Sequence, residues 1–455
     1  MNTASDPRQT LDQSKMTTRM MIVVAITVFL NGMDGFDVLS ISFASPGIVA
    51  EWGITPTQLG FVLSMELIGM AIGSIILGGV ADKIGRRPTL LGCLIVMAAG
   101  MLLATTSSSP VQLSIWRVLT GLGIGGMLSC TNATVAEFSN NKWRSLCISL
   151  MVIGYPLGGT FGGMYASNLL VDNDWRAVFY FGATATAILI PFVWFLVPES
   201  VHWLTRKQPD NALDKINASL SKLGHAVVSV LPVIHEDDRK KSIGDIFSPA
   251  LIATTLLVTG AYFFHITTFY FILKWTPKIV VDMGFEPSSA GYILTWANLG
   301  GALGGAAFGL LTARFGLKPL SIVILALTMV GVAAFGNTPS DLGRMAILAA
   351  FAGFFGNAGV SGLYSIVATA FPTHVRATAT GFVIGVGRGG AVLSPIFAGY
   401  LLEAGNTLPT VGLIMGSGSL IAAFLLIFLK LNTDRPAEAS TAPPVQAEGL
   451  EPNAA

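Results

Sequence analysis

Long apolar stretches, interrupted mainly by Gly, Ser and Thr, alternate with short polar turns along nearly the whole chain. Crossing a bilayer as a helix takes about 20 apolar residues in a row. Twelve stretches meet that length, at roughly 20–50, 57–81, 88–106, 110–138, 142–171, 175–197, 248–274, 286–312, 318–336, 340–371, 374–402 and 407–431. Six lie on each side of one polar segment. The pattern predicts an all-α integral membrane protein with a polar N-terminal tail at 1–19, a six-helix bundle at 20–197, a linker at 198–247, a second six-helix bundle at 248–431 and a tail at 432–455. The first apolar stretch is too long, and follows too many polar residues, for a cleaved leader, so it is expected to be the first span. Within the linker, "PDNALDKINASLSKLG" has the spacing of a short amphipathic helix. The last tail is rich in Pro, Ala and Glu, which predicts disorder.

Composition agrees with that pattern. Of the 455 residues, 52% are hydrophobic and 11% are charged, against about 25% charged in an ordinary soluble domain. The charges are also sorted. If both termini share one side, 20 of the 26 Lys and Arg fall on that side and three, Arg176, Lys274 and Lys278, on the other. The positive-inside bias then places both termini in the cytoplasm. Basic residues used in this way leave no surface suited to nucleic acid. Cys93, Cys130 and Cys147 fall inside predicted spans without metal-ligand spacing, and His202, His225 and His235 of the linker are expected to be solvated. Neither a nucleophile elbow nor a nucleotide loop is present, so the chain is not expected to be an enzyme.

The chain is also duplicated. "GGVADKIGRRP" at 78–88 recurs as "GLLTARFGLKP" at 309–319, and the same offset of 231 lays "GYPLGG" (154–159) on "GVGRGG" (385–390). Two distant matches in one register argue for a six-helix unit used twice, a transporter architecture that holds its substrate near mid-depth between the halves.

The first copy of the repeated loop, with Gly78, Asp82, Gly85, Arg86 and Arg87, turns the chain sharply between the second and third spans. Gly85 permits a tight bend, Asp82 can meet a helix N-terminus or a basic partner, and Arg86 can clamp a carboxylate. This stretch resembles the signature of the major facilitator superfamily, and the resemblance extends over essentially the whole chain. It implies two pseudo-symmetric six-helix bundles acting as a monomer, with this loop as a cytoplasmic latch. Glu137 and Arg144 resemble the companion charges of that latch, with Arg86 and Glu137 in one network. The second copy has Ala313 where the first has Asp82, which implies a weaker latch.

Charges inside the spans are the candidate chemistry, because such residues default to function. Asp34 and Asp37 in "DGFD" lie one helical turn apart near the middle of the first span. They either exchange protons or stabilise a helix kinked at Gly35. The same run resembles the hallmark of the aromatic acid:proton symporters within that superfamily, which implies a role in proton coupling. Arg388, flanked by Gly387, Gly389 and Gly390, sits midway along the eleventh span and has Leu157 as its repeat counterpart. The resemblance implies a contact to the substrate carboxylate; the alternative is a pairing that serves assembly. Arg117 either acts at the site or snorkels to the interface. His265, the repeat counterpart of Asp34, either hydrogen-bonds substrate or packs. Tyr270 in "YFFHITTFYF", with Trp296 and Asn298, offers surface for an aromatic ring. Glu66 is either a second protonation site or a local departure on the packing face it shares with Gly69 and Gly73.

The resulting expectation is a symporter of the bacterial inner membrane that imports a hydroxybenzoate-like aromatic carboxylate by alternating access, with protons as coupling ion and no other cofactor. Two alternatives stay open. One is a proton symporter for a non-aromatic organic acid or for a polyol or sugar, since "PESVHWL" at 198–204 resembles a segment of sugar porters. The other is a membrane sensor of aromatic acids.

Overall fold

The computed structural model describes residues 6–231, 243–372 and 375–431. The tail from 432, together with His235, lies outside these residues, as does the side chain of Ala313. The described chain forms fifteen α-helices and one short 3-10 turn, and twelve of the helices are long and apolar enough to cross a membrane. In chain order they are α1 (Pro7–Gln13), α2 (Thr18–Trp52), α3 (Pro56–Ile84), α4 (Arg86–Thr105), α5 (Pro110–Glu137), α6 (Arg144–Asp172), α7 (Arg176–Leu196), α8 (Val201–Lys207), α9 (Ala212–Leu223), α10 (Ile252–Asp282), α11 (Pro287–Phe315), α12 (Leu317–Gly336), α13 (Leu342–Ala370), α14 (Arg376–Glu403) and α15 (Leu408–Phe428).

Local sequence sets the helix starts. Thr55 and Gln58 form a reciprocal capping box ahead of α3, whose first residue is Pro56, and Ser109 caps α5 just before Pro110. Gly85 and Gly316, equivalent by the repeat offset, both take a positive φ where α3 turns into α4 and α11 into α12. Two expectations need correction. α10 does not stop at 274 but runs to Asp282, and Lys274 is fully buried within it rather than placed in an outer loop, because partners inside the protein answer its charge. The N-terminal segment is no free tail either. Asp6 caps α1, Leu11 is fully buried, Asp12 pairs with Arg144 at 2.5 Å, and Thr17 donates to the Leu223 carbonyl of α9 at 2.8 Å.

The repeat reappears in the packing. Gly69 and Gly73 let α3 lie against α5, and their offset counterparts Gly300 and Gly304 let α11 lie against α13; a Cβ at any of the four would overlap the neighbouring backbone. Lipid tails supply no hydrophobic drive between helices, so close approach of this kind supplies the dispersion contact instead. On α6, Gly158 meets the Gly32 backbone of α2 in the same way.

The first unit comprises α2–α7 and the second α10–α15, and they meet along a seam of α3 with α14, α6 with α11, and α2 with α10. Thr57 N donates to Glu403 at 3.0 Å, Ser64 to the Val392 carbonyl at 2.7 Å, and Tyr292 to Asn168 at 2.5 Å. All lie between mid-depth and the end opposite the Lys/Arg-rich turns, here termed the far end. Toward the basic end the helices part. Gly385 and Gly381 continue the α14 face that carries Arg388 and Val392, and a Cβ on either would meet nothing within 4 Å. The gap between the units therefore opens at the basic end.

Substituting Gly158→Ala is expected to destabilise by about 1–3 kcal/mol through overpacking, whereas Gly92→Ala, with open space around it on α4, is expected to be neutral or up to about 1 kcal/mol more stable. Thermal unfolding of the detergent-purified protein checks the pair, and equal midpoints for both variants would contradict the close-packing account.

Candidate functional site

Five ionisable side chains meet at mid-depth without exposure to solvent: Asp34 and Asp37 on α2, Glu66 on α3, Arg117 on α5 and Lys274 on α10. Arg117 pairs with Glu66 at 2.5 Å, donates to the Asp37 carbonyl and to the Met101 sulfur at 3.0 Å each, and lies 5.2 Å over the Phe179 ring. It is thus held inside the first unit and does not snorkel. Lys274 reaches across from the second unit to Glu66 at 3.6 Å and donates to the Val38 carbonyl. The two aspartates point into the first unit, not into the open gap. Cys93 flanks Asp34, while Asp37 faces Gly182 and the Thr186 hydroxyl, which does not reach bonding geometry. None of their four carboxyl oxygens has a hydrogen-bond partner among the described residues. Buried carboxyls in that condition call for an explanation beyond packing.

Arg388 occupies the seam one layer nearer the basic end. It is half-buried, and its guanidinium donates to the Met70 carbonyl of α3 at 3.3 Å, with no carboxylate paired to it among the described residues. Tyr262 and Tyr270 on α10 lie near it; Tyr262 donates to Tyr364 of α13 at 3.2 Å, and Tyr155 of α6 lies beside Tyr270. Gly387 lies against the Tyr262 ring so closely that a Cβ would displace it. One cation with phenols nearby can take a carboxylate at one end of a ligand and hydrogen-bond polar groups at the other.

Several expected residues are placed elsewhere. His265 is fully buried in the second unit, where Nδ1 meets the Ser419 hydroxyl and Nε2 the Gly356 carbonyl at 2.9 Å each, so no ring nitrogen remains for a ligand. Trp296 shares the exposed face of α11 with Tyr292, Leu303 and Leu310 and is turned to lipid, because two residues of helix rotate it away from buried Asn298. Asn298 itself sits in the seam beside Gly159 of α6 and donates to the Leu294 carbonyl at 3.0 Å. The sequence reading missed Lys274, Tyr155, Tyr262 and Tyr364. For Lys274 the available signal was an apolar run that continues past it to residue 281, "WTPKIVV", interrupted by Lys278 alone.

A model of the Major Facilitator Superfamily matches residues 24–285 and 260–452, nearly the whole chain. The chain belongs to this superfamily. Relatives include a gallate transporter of Pseudomonas putida, 26% identical with 96% of this chain and 98% of that protein covered, and a benzoate transport protein of Acinetobacter baylyi, 28% identical with 87% and 86% covered. Among solved structures, a D-xylose-proton symporter aligns with a TM-score of 0.70 at 17% identity, covering 90% of this chain and 98% of that one. An inward-open xylose transporter from E. coli aligns at 0.68 and 16% identity, with 91% and 98% covered. These two likenesses concern the fold alone.

At the basic end of this facilitator, the loop at 78–88 is held within the first unit. Arg86 bonds Asp82 at 3.0 Å and Glu137 at 3.2 Å, while Arg206 of α8 reaches Asp82 at 3.1 Å. Arg87 donates to the Trp194 carbonyl at 2.6 Å, and Gly78 faces Ser129 of α5. Arg144 is not part of this cluster; it takes Asp12 and the carbonyls of Ala136 and Ser139. The sequence reading also missed Glu199. Gly85 offers no side chain to cap α4, and Glu199 supplies that cap by accepting from Arg86 N at 2.8 Å and Arg87 N at 3.4 Å. Burial pushes its carboxyl above the usual range despite these bonds. His202 is half-buried rather than solvated, and burial holds its imidazole below the ordinary range although it lies 3.5 Å from Asp12.

Glu199→Ala is expected to destabilise by about 1 kcal/mol through loss of the cap. Glu199→Gln keeps an acceptor oxygen and is expected to cost less than half of that, again by thermal unfolding. Equal losses for both would show that charge rather than capping matters at this position.

Proposed function

We propose that this facilitator is a proton-coupled symporter that imports a hydroxybenzoate-like aromatic carboxylate into a bacterial cell by alternating access. It is a transporter, not an enzyme. The observation that carries the reading is Arg388, a guanidinium in the seam one layer nearer the basic end than the five buried ions, with a backbone carbonyl as its hydrogen-bond partner and two phenols nearby. A carboxylate supplies the missing counter-charge, the aromatic ring packs among the tyrosines, and ring hydroxyls exchange hydrogen bonds with the phenols. The names of the relatives support the same substrate class, since gallate, benzoate, 4-hydroxybenzoate and gentisate transporters are among them. A sugar or polyol would leave the guanidinium without a counter-charge, so the likeness in fold to xylose transporters is outweighed.

Asp34 and Asp37 serve as the proton sites. Each carboxyl is buried and lacks a hydrogen bond among the described residues, so a proton bound there removes a charge that otherwise opposes passage through the low-dielectric centre. The Lys/Arg bias supports a cytoplasmic basic end with both termini on that side. With the gap open at that end, the conformation is inward-open, the state from which substrate leaves toward the cell interior. The membrane is the bacterial inner membrane.

Uptake of labelled benzoate, 4-hydroxybenzoate, protocatechuate, gallate and xylose into proteoliposomes tests the reading, with and without an imposed pH gradient. The expected result is accumulation of one or more aromatic acids that collapses with the gradient. Arg388→Ala is expected to raise KM at least about ten-fold, the loss of one charge-assisted contact worth about 1.5–3 kcal/mol. Asp37→Asn is expected to keep counterflow while losing uphill accumulation. Accumulation of xylose alone would overturn the substrate class, and uptake indifferent to the gradient would overturn the coupling.

A further inference from the structure

Lys274 belongs to the second unit, yet both of its recorded partners lie in the first: the Val38 carbonyl of α2 and the Glu66 carboxylate of α3 at 3.6 Å. Among the described residues, this is the one ion pair that joins a membrane span of one unit to a membrane span of the other. The other hydrogen bonds across the seam are not ion pairs: Ser64 to Val392 and Tyr292 to Asn168 join uncharged groups, while Thr57 N to Glu403 and Arg388 to the Met70 carbonyl each have one charged partner. Glu66 in turn holds two cations, Lys274 from across the seam and Arg117 from its own unit at 2.5 Å.

Removing one member of a buried ion pair is costly because the other is left charged and dry. In the present state all three groups are fully buried and mutually paired. Closing the basic end and opening the far end would draw α10 away from α2 and α3. Glu66 then keeps Arg117, which stays with it inside the first unit, while Lys274 is carried into a gap that admits water. Two cations on one carboxylate thus allow the units to separate without stranding a charge in either state.

We propose that Lys274 is the charged tie that holds the two units together at mid-depth while the far end is closed, and that each turnover transfers Glu66 from shared pairing to Arg117 alone. The tie rests on the alternating-access reading above, but its test needs neither substrate nor gradient. Spin labels on Asp172→Cys and Glu286→Cys, exposed residues at the far ends of α6 and α11, report the opening as a distance distribution in lipid nanodiscs; the native cysteines are buried.

The labelled parent is expected to populate mainly the short distance. Lys274→Met is expected to raise the long-distance fraction at least three-fold, and Lys274→Arg, which keeps the charge, is expected to restore the parent distribution. An unchanged distribution in Lys274→Met overturns the tie. Should Lys274→Met fail to assemble, Glu66→Gln in the same labelled background decides the matter: a three-fold rise supports the tie and no change overturns it. If no aromatic acid is transported while the label shift holds, the substrate reading fails and the tie stands.

Discussion

A charge at mid-depth in a bilayer has to be answered by another charge, by hydrogen bonds or by a proton, because the surroundings cannot solvate it. The arrangement between the two units follows from how each buried ion meets that demand. Glu66, Arg117 and Lys274 answer one another. Among the described residues, Arg388 has a backbone carbonyl as its hydrogen-bond partner and no carboxylate paired to it, which leaves it receptive to an anion. The carboxyl groups of Asp34 and Asp37 have no hydrogen-bond partner among the described residues, which leaves them receptive to protons. Under the proposed function, three ways of meeting one constraint correspond to three tasks within a few helical turns: holding the units together, taking up cargo and carrying the coupling ion.

The division of labour falls unevenly on the duplicated units. By the repeat offset, Asp34, Asp37, Glu66 and Arg117 correspond to His265, Thr268, Ala297 and Leu348, so the buried charge network belongs largely to the first unit. The second unit contributes Lys274 and Arg388, whose counterparts Phe43 and Leu157 are apolar. The glycine contacts of α3 with α5, by contrast, repeat between α11 and α13, where both copies must pack, whereas the contacts of Gly154 and Gly158 with α2 have no equivalent at Gly385 and Gly389. Symmetry is kept where the membrane imposes the same requirement twice, and lost where the seam needs a different group on each side.

Much of the architecture was legible in the linear pattern, because the bilayer imposes a length, a composition and a charge bias that a sequence must display. The helix starts at Thr55–Pro56 and Ser109–Pro110 are set by equally local capping, although the apolar pattern alone did not single those caps out. The site was legible only in part. Asp34, Asp37, Glu66, Arg117 and Arg388 stood out as ions in oil. Lys274 did not, since it lies close to where a span of ordinary length would end, and a charge there reads as a boundary unless its partner is known. Trp296 was misread for the converse reason: aromatic character is visible in a sequence, but the side of the helix that faces the partner unit is not.

What the sequence determined by itself was therefore what is set by the solvent and by neighbours along the chain: twelve spans, two copies of one unit, and the presence of ions that need a reason. Only the tertiary structure decided which ion answers which. It assigned Arg117 and Lys274 jointly to Glu66, left the carboxyls of the two aspartates without a hydrogen-bond partner among the described residues, sealed both nitrogens of His265 within the second unit, and set Tyr262 and Tyr270 near Arg388. Pairing of that kind depends on distances between residues far apart in the chain, and those distances exist only once the helices have packed.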